Sequence, residues 1–90
     1  MKSLKLTLAS VIYSKAGRDA KNKFVVIDII DNEYVLLVDG HLRKIEKPKK
    51  KKIKHIELTD FIIYDIKDKL DEKKKLTNAE IRKCLQKLTN

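Results

Sequence analysis

The 90-residue sequence has no Trp, one Pro, one Cys, one Met, two Gly and two His. Each scarcity closes off a class of protein. A single cysteine, Cys84, cannot form an intrachain disulfide, and small secreted domains depend on such crosslinks. The chain therefore reads as intracellular and cytoplasmic. One thiol with His41 and His55 does not complete a four-ligand zinc site, so neither a metal nor a cofactor is expected. Gly17 and Gly40 are too few and too far apart for a phosphate-binding glycine loop. No apolar run approaches the roughly 20 residues that cross a bilayer, so no membrane partner is expected. The opening MKSLKLTLASVIYSKAG faintly imitates a secretion signal. Thr7 and Ser10 interrupt its apolar stretch, however, and no small-x-small cleavage site follows. No nucleophile or carboxylate pair stands at a telling spacing, so no catalytic residue, enzyme activity or small-molecule substrate is expected. Aromatic residues make up 6% of the chain, which argues against the aromatic-lined groove of peptide-binding barrels.

What the chain has is positive charge. It carries 22 Lys and Arg against 13 Asp and Glu, a net of +9. The excess is uneven, because residues 41–57 hold eight basic and two acidic residues and so supply two thirds of it. A polyanion is the natural partner of such a stretch, and nucleic acid is the commonest one. The 42% hydrophobic content is enough to offset chain entropy, which excludes a wholly disordered polybasic chain.

The first half reads as strands. Val11 to Tyr13 and the β-branched run Phe24 to Ile30 are strand formers, and the turn-rich AGRDAKN separates them. Asp31-Asn32 marks a turn before Tyr34 to Val38. Asp39-Gly40 signals a tight hairpin, with Leu42 to Ile45 as the returning strand. Lys54 to Leu58 alternates polar and apolar. Four or five short strands cannot safely leave two open edges, so closure into a small barrel is expected. The last third changes period. Thr77 to Glu80 is a capping box, and Ile81, Cys84, Leu85 and Leu88 then fall on one helical face. Cys84 reads as a packed small hydrophobe there. Ile62, Ile66 and Leu70, with an Asp65–Lys69 pair, suggest an earlier helix, although Phe61 to Tyr64 also reads as strand. Asp65, Asp68 and Glu72 form its wet face.

Two segments stand out as binding elements. In the first, Pro48 is expected to end strand pairing and open a loop, and Lys49, Lys50, Lys51 and Lys52 then repel one another unless a polyanion neutralises them. Arg43, Lys44, Lys47, Lys54 and His55 flank this run, and Ile45 and Ile53 anchor its ends. The lysines read as interchangeable point charges that supply affinity. In the second, Gly17 permits a tight turn, Arg18 offers a planar donor fork, and Asp19 can accept turn amides, with Lys15 and Lys21 alongside. Tyr13, Tyr34 and Tyr64 could stack on bases, but each lies within an apolar run and reads as core-edge packing.

Together the segments SKAGRDA, FVVIDII, DGHLRK, PKKKKIKH and TNAEIRK resemble the KOW-domain RNA-binding proteins. The similarity is greatest to the group of large-subunit ribosomal proteins called fourteen-e, six-e and twenty-seven-e, with their small bacterial relatives. Two positions depart from that pattern. Lys21 stands where the KOW motif usually has a second glycine, and Ala9 replaces a glycine often found near the first strand. The resemblance implies a mainly β, α+β fold: a small SH3-like barrel over residues 1–58 with a basic loop at 43–54. Residues 59–90 would be one or two helices packed on it. It also implies RNA as the partner, ribosomal RNA first, with ribosomal proteins nearby. Gly17, Arg18 and Asp19 carry over as the turn, and the lysine segment as an RNA-facing element. The alternatives are a protein-interaction barrel without RNA specificity and a non-specific binder of duplex DNA.

Overall fold

The run from Phe24 to Ile30 is too apolar for a strand with one wet face, and its surroundings explain the composition. In the computed structural model, which describes residues 5–15 and 22–88, this run forms the central strand of a five-stranded antiparallel sheet. The strands are β1 (Ser10–Ser14), β2 (Lys23–Ile29), β3 (Tyr34–Val38), β4 (Lys49–Lys52) and β5 (Ile56–Ile62). Their order in the sheet is β4-β3-β2-β1-β5. A 3₁₀ turn at Ile53–His55 links the two edge strands, and helices α1 (Tyr64–Asp71) and α2 (Asn78–Lys87) follow. This is the small α+β fold, mainly β and barrel-like, that the sequence suggests. β4 and β5 do not pair with each other, however, so the expected full closure is not reached and both stay sheet edges.

Side chains on a strand alternate between its two faces. On β2, Phe24 and Val26 enter an interior cluster with Ile12, Val35, Leu37 and Ile56. Val25 and the half-buried Ile27 join a second cluster with Val11, Val38, Ile66, Ile81 and Leu85. The last three come from the helices, so α1 and α2 cover the outside of the sheet while the strands enclose the inside. A strand covered on both faces reads as one continuous apolar run. Each buried aliphatic side chain of this kind contributes about 1.5–3 kcal/mol.

Ala9 ties these layers together. Its amide donates to the Val26 carbonyl at 2.7 Å, and its carbonyl accepts from the Ile63 amide at 3.0 Å. It has φ of 67° and is fully buried. The left-handed conformation costs an L-residue about 1–2 kcal/mol. The buried methyl returns about 0.8 kcal/mol of that. The backbone thus holds at Ala9 a conformation more usual for glycine.

Three further expectations are corrected. The Asp39-Gly40 pair does not make a two-residue hairpin, and Leu42 to Ile45 is not a strand, for β3 finds its partner only at Lys49. Instead the Asp39 carboxylate accepts from the amides of His41 and Arg43, both at 2.8 Å, and curls the chain away. Helix α2 then captures this loop. Asn78 Oδ1 accepts from the Ile45 amide at 2.9 Å, and Arg82 Nη1 donates to the Gly40 carbonyl at 2.6 Å. Second, Pro48 precedes a strand instead of ending one, and the lysine run is β4, not a loop. Proline is tolerated there because it stands just outside an edge strand and owes the ladder no amide. Third, the ambiguous segment is strand and then helix. β5 runs to Ile62, past the expected boundary at residue 58, and α1 starts at Tyr64.

The helices meet through charge as well as apolar packing. Lys69 pairs across to Glu80 of α2 and not with Asp65, while Lys67 bonds Asp71 at 2.8 Å within α1. The capping box forms as expected: Thr77 Oγ1 accepts from the Glu80 amide, and the Glu80 carboxylate accepts from the Thr77 amide. The Lys69 contact, followed by the Thr77 amide, holds the Glu80 carboxyl below the usual range. Burial of Ile81 and Leu85 bears out the apolar face of α2.

Two outcomes test this account. Gly40 has φ of +76°, and a Cβ there would collide with the Asn78 carbonyl oxygen and lie 3.0 Å from Arg82 Cγ. Gly40→Ala should destabilise the fold by at least the roughly 1–2 kcal/mol of a left-handed alanine. Thermal melting should report a drop of about 4–8 °C per kcal/mol for a domain of this size. Glu80 makes the second test. With its folded pKa lowered, its stabilisation is complete above the ordinary glutamate pKa and is lost as pH falls through the lowered value. Melting temperature measured from neutral pH into acid should fall less steeply for Glu80→Gln, which keeps a capping side chain without the titrating group. Equal slopes would remove Glu80 from the acid response.

Candidate nucleic-acid interface

The pairing of β4 with β3 sorts the four lysines. Lys49 stands opposite Leu37 and Lys51 opposite Val35, both interior residues, while Lys50 stands opposite Leu36 and Lys52 opposite Tyr34. Cross-strand partners share a face. Lys49 and Lys51 therefore share the face of Leu37 and Val35 and are half-buried, a position where long aliphatic stems can lie against apolar surface. Lys50 and Lys52 stand on the outer face. The Lys50 ammonium lies 4.5 Å from the centroid of the Tyr34 ring, and that of Lys52 lies 6.0 Å away. The lysines are thus not interchangeable, as a loop would have left them.

The strand ends organise the other basic residues into two groups. At the 3₁₀ turn, the Lys15 amide donates to the His55 carbonyl at 2.9 Å, and the Ile53 amide donates to the Glu33 carbonyl at 2.8 Å. Lys15 and Lys54 are exposed and His55 is half-buried. The Ser14 amide bonds the Asn22 carbonyl at 3.2 Å, so the chain enters and leaves segment 16–21 close to the 3₁₀ turn. Gly17, Arg18, Asp19 and Lys21 lie outside the described residues. At the other end of β4, Lys44 and Lys47 are exposed in the loop held by α2, and Arg43 is half-buried in it. The Arg43 carbonyl accepts from Asp39 and Gly40, so its main chain builds the loop. Four residues of strand separate the groups, a rise of about 10 Å from Lys49 to Lys52.

The tyrosines divide likewise. Tyr13 is half-buried, Tyr34 is half-buried beneath lysine, and Tyr64 is 64% exposed, which does not fit core-edge packing. The sequence, which reads Tyr34 as core-edge packing, gives no sign of this lysine cover because Lys50 is 16 positions away along the chain. Elsewhere, a cavity of about 550 Å³ between α1 and α2 is lined by residues of both signs, including Asp68, Lys69, Glu80 and Lys83, with Cys84 at its wall. Burial pushes the Cys84 thiol up, which suits a packed side chain more than a nucleophile. Among the described residues no group of three His, Cys, Asp or Glu side chains could hold a metal ion, and no helix is long and apolar enough to cross a membrane.

No family model matches the chain.

The sorting of the lysines can be tested without any ligand. Brief acetylation followed by peptide mass spectrometry should modify Lys50 severalfold faster than Lys49 and Lys51. A flexible loop would show four similar rates, and that result would contradict the strand.

Proposed function

We propose that this protein binds RNA through the outer face of β4 and the 3₁₀ turn beside it. The observation that carries the reading is an edge strand made wholly of lysine, with Lys50 and Lys52 directed outward next to Lys54 and Lys15. An edge of like charges is unfavourable in isolation, and neutralisation by phosphates removes that cost. The resemblance to the KOW-domain ribosomal proteins favours structured ribosomal RNA over other polyanions and the cytoplasm as the setting. On this reading Lys44 and Lys47 extend the footprint along β4, and Arg18 supplies a directional contact. Lys49 and Lys51 steer the approach of the RNA more than they touch it.

Salt dependence is the direct measure. Neutralising about five phosphates gives a log K against log[salt] slope of about −3.5 to −4.5. The double variant Lys50→Gln/Lys52→Gln should flatten that slope by about 1.4–1.8, while Lys49→Gln/Lys51→Gln should change it by less than half as much. Binding to a ribosomal RNA fragment across a salt series checks both. A flat response from the unaltered protein would overturn the electrostatic reading. In cells, crosslinking followed by sequencing of the attached RNA should recover ribosomal RNA.

A further inference from the structure

We infer that Tyr34, with Lys50 and Lys52, forms a stacking platform for one unpaired nucleotide, so that the preferred ligand contains a single-stranded segment. The inference rests on the RNA-binding reading above and adds to it the class of RNA. Tyr34 begins β3 at the tip of the hairpin, and its main chain is fixed from several sides. Its amide donates to Asp31 Oδ1 at 2.9 Å, and its carbonyl accepts from Ile30 at 3.0 Å. The Asp31 carboxylate also holds the Glu33 amide at 2.7 Å, and the Glu33 carbonyl is tied to Ile53. Lys52 is its cross-strand partner. The ring therefore sits on a rigid support, and such preorganisation lowers the entropy lost on binding.

The ring itself belongs to neither apolar cluster. What lies over it is an ammonium on a flexible four-carbon stem. An exposed cation–π contact is weaker than a nucleobase stacked on an aromatic ring. A base can therefore take the ring face while Lys50 swings to the phosphate that arrives with it, and Lys52, whose ammonium lies farther from the ring at 6.0 Å, adds a second positive charge nearby. A small cleft of about 210 Å³, lined by Asn32, Glu33, Lys52 and Lys54, shares Lys52 with this group. A base-paired duplex keeps its bases stacked inside and offers this platform only phosphates. Stacking tolerates any base, so the platform selects for unpaired nucleotides without selecting a sequence.

The test compares oligouridine with a blunt RNA duplex carrying the same number of phosphates, using the full chain. Tyr34→Leu should weaken oligouridine binding about tenfold, the lower range of a lost base stack. It should leave duplex binding within about twofold, and Tyr34→Phe should keep both. In the unaltered protein, the Tyr34 ring protons should shift upfield on adding oligouridine and stay in place on adding duplex, a measurement that does not depend on any variant folding. If the ring protons do not move with oligouridine, or Tyr34→Leu weakens both RNAs equally, the platform is wrong while RNA binding stands. If the unaltered protein binds neither RNA, the RNA reading fails and the platform fails with it.

Discussion

Everything in this small fold follows from β2 being covered on both faces. Phe24 and Val26 need an interior, and Val25 and Ile27 need an exterior cover. A five-stranded sheet alone supplies only the first. The helices are therefore part of the domain and not an appendage, since Ile66, Ile81 and Leu85 complete the outer layer. Two clusters of this kind suit a chain of 90 residues, for which one thin core would leave little margin. The radius of gyration of 12.0 Å is close to the roughly 12 Å of a compact domain this long, as helices docked on the sheet require.

Once α2 is committed to the sheet, it governs the approach to β4. Asn78 and Arg82 hold the loop at Ile45 and Gly40, and Asn78 also donates to the Glu46 carboxylate at 2.9 Å. The chain thus enters the lysine strand from a fixed position, with Ile45 packed against the helix-side cluster. The loop that follows Asp39 and the first turns of α2, far apart in sequence, thus supply the two sides of one contact. Lysine has low strand propensity, and four in succession repel one another. Pairing with β3, pinned at one end by α2 and at the other by the Ile53–Glu33 bond, holds the strand despite both. The same lysines discourage another chain from adding to the open edge, a common protection of edge strands.

The sequence was most legible where local and long-range forces agree. The Phe24 to Ile30 run, the Tyr34 to Val38 strand and the Thr77–Glu80 capping box were readable because propensity, patterning and tertiary burial point the same way. It misled where a distant partner decides. Asp39-Gly40 has the composition of a hairpin turn, and Gly40 does adopt positive φ. The turn opens nonetheless because the Asp39 carboxylate and α2 take up the loop's polar groups. Nothing local marks Lys49 to Lys52 as a strand; only the edge of β3 makes it one. The proposed binding residues were legible as charge but not as geometry, since the alternation that separates Lys50 and Lys52 from Lys49 and Lys51 exists only after pairing.

That alternation changes what the charge can do. A flexible loop with four lysines would adapt to any array of phosphates and discriminate little. A strand fixes alternate residues about 6.6 Å apart along one face and gives each a set neighbour. On the outer face that neighbour is an aromatic ring. On the inner face it is the rim of the core, where Lys49 and Lys51 shield Leu37 and Val35. Under the proposed function, the same four residues divide between covering the core and meeting RNA. A substitution that removes all four at once would mix the two effects, so their roles separate only when the faces are changed one at a time.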